Sequence, residues 1–197
     1  MSALLIAGSP ALRSRSGAVL DVIGYRLAAH GAQVAQLLVR TLPAQALLLA
    51  DTAQPEIAKA VAQVAAAKVL VVATPVYKAA YSGILKVFLD LLPQTALKGK
   101  TVLPIVTGGS AHHMLALDYA LRPVLQSLGA QHILPGIYAN DAQIALTPEG
   151  AYVLTDDIAS RLDEAIRTLV TTVWRAAPAP AAATFEDVPF SQVRCSV

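Results

Sequence analysis

Charged side chains make up only 14% of this chain and aromatic ones 5%, with a single tryptophan. Charge this sparse, balancing to a formal +2, excludes the basic stripe with interleaved aromatics that engages nucleic acid. Cysteine is limited to Cys195, so there is no internal disulfide and no thiolate cluster at metal-ligand spacing. Long apolar runs are missing as well. Hydrophobic residues are 55% of the 197, yet their runs extend about five to eight residues, against the roughly 20 that a membrane-spanning helix needs. The first run, Ala3–Ala7, has no basic start and does not read as a signal peptide, so the expected setting is cytoplasmic, with no membrane partner. Neither G-x-G-x-x-G nor G-x-x-x-x-G-K-[ST] occurs, which removes the standard dinucleotide and nucleotide-triphosphate loops.

What the chain does have is alanine and short β-branched runs. An apolar surplus on a soluble-looking chain points to subunit contacts, and a homo-oligomer, dimer or tetramer, is expected. Strands are expected at Leu4–Ala7, Val34–Val39, Val69–Thr74, Val102–Thr107 and Ile133–Tyr138. VLVVAT is apolar at every position, as a strand covered on both faces should be. Helices are expected over Ser16–Ala29, from Pro55, after Ser82, over Met114–Leu128 and from Thr155, where Asp156 and Asp157 suit a first turn. Strands alternating with helices predict an α/β fold: a doubly wound, five-stranded parallel sheet of flavodoxin-like type, strand order 2-1-3-4-5. That domain would span residues 1–176, and the Ala/Pro-rich stretch 177–197 reads as a mobile tail.

Ligands of such sheets bind beyond the carboxyl ends of the strands, where the order reverses. The segments following strands one, three and four read GSPALRSRS, TPVYKAAYSG and TGGSAHH. In the first, Gly8 would allow a tight turn, and Ser9, Ser14 and Ser16 with Arg13 and Arg15 suit a phosphate at a helix start. A Ser-rich helix cap with solvated arginines would look the same. In the second, Pro75 would fix the backbone where the chain leaves the sheet, and Tyr77 and Tyr81 could flank a flat ring or pack on the helix start. In the third, Gly108 and Gly109 would bring backbone amides close to a ligand, although turns use glycine pairs too. His112 and His113 lack companion ligands and read as loop residues.

Taken together, AGSPALRSRS, ATPVYKAAYSGILKVFLDLLP and TGGSAHHMLALDYALRPVL closely resemble the NAD(P)H-dependent FMN reductases, nearest to the sulfonate-assimilation branch. The likeness covers about residues 3–145. It implies FMN and NADPH as cofactors, with NADH possible as donor. It also implies hydride transfer without a protein acid or base. A flavin-dependent monooxygenase of alkanesulfonate metabolism would be the acceptor of the reduced flavin. Ser9, Ser14, Arg15 and Ser16 would cradle the phosphate. Pro75, Val76, Tyr77 and Lys78 would border the isoalloxazine, and Thr107, Gly108, Gly109 and Ser110 its pyrimidine end. One departure is Ala11, where the family often carries arginine. Other readings are a quinone or azo reductase that retains FMN, or a flavodoxin-type electron carrier; the slightly basic chain, poor in tryptophan, favours the reductase.

MLALDYALRPVLQSL has helical spacing, but Pro123 cannot donate to the carbonyl of Tyr119, so the turn between them must kink or widen. In the resembling reductases a tyrosine at this place is associated with a wide turn at a tetramer interface. Tyr119 is therefore expected to face a neighbouring subunit near its flavin and to limit how tightly flavin is kept.

Overall fold

The computed structural model describes residues 2–174, with Trp174 described by its backbone alone. The tail expected over 177–197, the last residues of the domain and Cys195 lie outside the described residues. Five principal strands form the expected sheet. β1 (Ser2–Ala7) pairs in parallel with β2 (Gln33–Leu38) and with β3 (Val69–Tyr77). β3 in turn pairs with β5 (Thr101–Gly108), which carries the edge segments β6 (His132–Ile133) and β7 (Ile137–Asn140). The two-residue β4 (Ala80–Tyr81) only folds back on β3. With β4 set aside and β6 and β7 taken as one interrupted strand, the order is the 2-1-3-4-5 that the sequence predicts.

Side chains alternate along the central strands, and both faces are covered, which is why these strands read as continuous apolar runs. Leu4, Ile6, Leu70, Val72, Val102 and Val106 meet α2 (Ala44–Leu48), α3 (Pro55–Ala66), α4 (Gly83–Asp90) and α5 (Arg122–Ser127). Ala3, Leu5, Val69, Val71, Leu103 and Ile105 meet α1 (Arg15–Ala29) and α6 (Asp156–Leu169). On α1 the buried stripe is Val19, Leu20, Ile23 and Leu27, and on α6 it is Ile158, Leu162, Ile166 and Leu169. Both are helical periods turned to the same face of the sheet. No described helix is long and apolar enough to cross a membrane.

Three expectations need correction. The third strand does not end at Thr74: it runs through Pro75 to Tyr77, so the chain leaves the sheet three residues later than expected. Pro75 is tolerated because Thr107 beside it is near the end of the ladder, where one missing donor costs little. The fifth strand is broken at Leu134–Pro135–Gly136. Three residues there face only Leu103 and Pro104 of β5, a bulge with one residue too many. The helix expected over Met114–Leu128 carries the widening that Pro123 predicts, a π turn over Leu117–Leu121 leading into α5, and a tight turn over Ala111–Met114 precedes it. Finally, α2 and the hairpin of β8 (Ile144–Leu146) with β9 (Tyr152–Leu154) had no forecast.

The wide turn and the broken strand pack against each other. Pro123 offers no N–H to Tyr119, and the Arg122 amide instead donates to the carbonyl of Leu117, five residues back. Leu117, the first residue of the wide turn, is buried against Gly136 of the strand break. A Cβ at Gly136 would stand 2.5 Å from both Leu117 methyl carbons, so only glycine fits beneath that side chain.

Candidate functional site

The carboxyl ends of β1, β3 and β5 meet in one cleft of about 270 Å³. Its wall contains Ser9, Ser14 and Arg15 from the first loop, Pro75, Val76 and Tyr77 from the second, and Thr107, Gly108 and Gly109 from the third. Nine of the twelve binding residues expected from sequence are therefore brought together. Ser16, Lys78 and Ser110 do not line it.

The first loop is pinned from below. The Gly8 amide donates to Ala73 O at 2.8 Å, and the Ser82 hydroxyl donates to the Gly8 carbonyl. Gly8 is not left-handed, so the expected tight-turn role is replaced by a packing role. A Cβ there would stand 2.9 Å from Leu85 Cβ and 3.2 Å from Ala73 O. Ser14 caps α1, its Oγ accepting from the Gly17 amide at 3.1 Å while its carbonyl accepts from Ala18. The amides of Arg15 and Ser16 have no acceptor among the described residues, and they sit at the positive end of a 15-residue helix. Ser9 Oγ accepts from the Ala11 amide. Ser16 is buried beneath, its hydroxyl 3.4 Å from that of Ser14, and so supports the cap from inside. Hydroxyls, free amides and arginine together are a donor set suited to a phosphate monoester.

The second loop is a tight hairpin rather than an open loop. Tyr77 pairs with Ala80 and Val76 with Tyr81, while Lys78 and Ala79 at the tip have φ of 49° and 65°. Two non-glycine residues in the left-handed region give the primed turn that suits strand twist, at a backbone cost of about 1–2 kcal/mol each. Lys78, at this tip, is exposed and is not part of the cleft wall. The two tyrosines part company: Tyr77 is half exposed on the cleft, and Tyr81 packs against the core. One is available to a flat ring, the other belongs to the helix start.

At the third loop the Tyr138 hydroxyl donates to the Ser110 carbonyl and lies 2.7 Å from where a Gly108 Cβ would be. Burial, and then the Asp141 carboxylate, push the Tyr138 phenol above its ordinary value, so it remains a donor. Ser110 caps the short turn, accepting from His112 at 3.3 Å. Thr107 is buried at the cleft floor.

Arg13, a phosphate candidate from sequence, and Ala11 line the cleft as well, and two lining residues, Asp141 and Tyr152, had no place in the sequence motifs. Asp141 follows β7 and lies 3.4 Å from Arg15 Nε, which also donates to Ile144 O at 3.0 Å. The β8–β9 hairpin thus closes one end of the cleft through Arg15, and brings Tyr152 with it. Arg13 reaches over the same hairpin, its Nη1 2.9 Å from where a Gly150 Cβ would be. No sequence signal links residues 13–15 with 141–152, because the hairpin is short and its contact spans more than 120 residues. No cluster of three or more His, Cys, Asp or Glu able to hold a metal occurs among the described residues. Tyr119 is outside the cleft, 79% exposed on the wide turn, beside exposed Met114 and Leu115.

The profile of a family described as NADPH-dependent FMN reductase matches residues 1–145. The chain is similar to an FMN reductase (NADPH) of Pseudomonas putida, 52% identical over 145 residues that cover 74% of each protein. It is 42% identical to an FMN reductase (NADPH) of Escherichia coli over 176 residues, 89% of this chain and 90% of that one. Among solved structures it is similar to the apo form of an NADH:FMN oxidoreductase, with 41% identity and a TM-score of 0.77 over 84% of this chain and 86% of that one. The flavodoxin-like sheet, the three converging loops and these relatives place the chain in the NADPH-dependent FMN reductase family, as an oxidoreductase that uses NAD(P)H to reduce FMN.

Proposed function

We propose that the reduced flavin made in this cleft is released to a flavin-dependent monooxygenase, as the reductase half of a two-component system in alkanesulfonate sulfur assimilation. The observation that carries release is the construction of the phosphate end. In this reading FMN has its phosphate at Ser9, Ser14, Arg15 and Ser16, yet Ala11 contributes no charge and Arg15 is shared with Asp141 and Ile144. The isoalloxazine would lie along Pro75, Val76 and Tyr77, with Lys78 at the rim. Thr107, Gly108, Gly109 and Ser110 would take its pyrimidine end. The bound flavin supplies the hydride acceptor, and the chain's own work is to bind, orient and let go. Backbone amides at Gly108 and Gly109 favour the negative charge that reduction leaves at that end.

The assay is NADPH oxidation against FMN concentration, followed by sulfite release from an alkanesulfonate when a sulfonate monooxygenase is added. Saturation in free FMN, with sulfite formed only when both proteins are present, is expected. Ping-pong turnover of a quinone by protein that keeps its flavin through gel filtration would replace this reading with the flavin-retaining quinone or azo reductase.

The reading extends to a cytoplasmic homo-oligomer, dimer or tetramer, in which Tyr119 of the wide turn faces a neighbouring subunit. Its exposure beside Met114 and Leu115 supports this, since these side chains make an apolar patch on an otherwise ordered turn. Tyr119→Ala should lower the assembly state in sedimentation and change FMN retention; unaltered assembly and retention would remove Tyr119 from that role.

A further inference from the structure

Asp141 is an odd residue to find in a cleft that must receive a phosphate dianion. It stands just past the end of β7, where Asn140 pairs with Gly108, and it lines the same cleft as Arg15. Its Oδ1 is 3.4 Å from Arg15 Nε, and that nitrogen donates to Ile144 O at 3.0 Å. Arg15 is therefore already engaged from the hairpin side. Among the described residues its one charged partner in the cleft is Asp141, which has the sign that a phosphate also has.

We propose that Asp141 is a positioning residue that competes with the FMN phosphate for Arg15 and so keeps flavin affinity low enough for release. The inference rests on the reading of the first loop as the phosphate cradle. The side chains of Arg15 and Asp141 are 33% and 48% exposed, so water screens the pair and it is weak by itself. A doubly charged phosphate held by helix amides and serines can displace a pair of that kind, whereas a buried bidentate pair would hold the arginine permanently. The competition is a graded brake. Ala11 adds no charge to this wall, so its lining cations are Arg13 and Arg15.

The test uses FMN and riboflavin, which share a ring and differ by the phosphate, titrated into flavin-free full-length protein by fluorescence quenching. Parent protein binding FMN more tightly than riboflavin supports the phosphate cradle, and equal affinities would overturn the cradle and the inference with it. Asp141→Asn should tighten FMN by about fivefold while riboflavin changes by less than about twofold. Asp141→Glu, which restores the charge, should return FMN affinity towards the parent value. In an Arg15→Ala background the Asp141→Asn gain should shrink below about twofold, because competition needs the arginine. With the parent preference for FMN intact, three results would each overturn the proposal alone: no change in FMN affinity, an equal change in both flavins, or a full gain without Arg15.

Discussion

Replacing Ser82 by alanine removes one hydroxyl that serves two elements at once, and the structure gives the cost. Ser82 is buried, caps α4 by accepting from the Leu85 amide at 3.3 Å, and donates to the Gly8 carbonyl at the root of the first loop. Its own amide donates to Thr74 Oγ1 at 3.0 Å, so the residue joins β1, β3 and α4. Losing the cap costs about 1 kcal/mol, and a buried carbonyl left without its donor costs about 1–3 kcal/mol more. The total of about 2–4 kcal/mol is a large part of a domain's usual 5–15 kcal/mol. Urea unfolding followed by far-UV circular dichroism measures it: the midpoint should fall with the slope unchanged. FMN affinity should fall alongside, because Gly8 positions Ser9. A destabilisation below about 0.5 kcal/mol would refute the linkage, since an exposed serine loses no more than that.

Gly136→Ala should cost about 1–3 kcal/mol by thermal unfolding, because the new methyl meets Leu117 at 2.5 Å. Adding Leu117→Ala should recover part of that loss, and a neutral single variant would contradict the contact. Ala79→Gly should raise stability by about 0.5–1 kcal/mol, since the tip has φ of 65° and needs no side chain. A loss of stability in Ala79→Gly would mean that the hairpin tip is not left-handed.

The fold was readable because its central strands are buried on both faces. A strand such as VLVVAT has no polar position at which to be mistaken for a surface strand, and the Pro55, Ser82 and Asp156 signals mark helix starts that the structure contains. What escaped was local and short. β8 and β9 have three residues each, too few for a period to declare itself, and Tyr77 extends a strand through a proline that usually ends one. The break at Leu134–Gly136 was hidden because the side chain packed on it, Leu117, lies on another element.

The same distinction separates the readable part of the site from the rest. Ser9, Ser14, Pro75, Tyr77, Gly108 and Gly109 are each carried by a loop that directly follows a strand, so topology alone gathers them. Asp141 comes from just past β7, whose Asn140 pairs with Gly108, and Tyr152 from a separate hairpin whose Ile144 carbonyl accepts from Arg15 Nε. A motif-based reading therefore finds the groups that would hold a flavin and misses the one that opposes it. An opposing carboxylate carries no motif, since its effect depends on a 3.4 Å approach and not on spacing along the chain. In the proposed reading that residue counts as much as the cradle: the first loop supplies affinity for the phosphate, and Asp141 opposes it through Arg15.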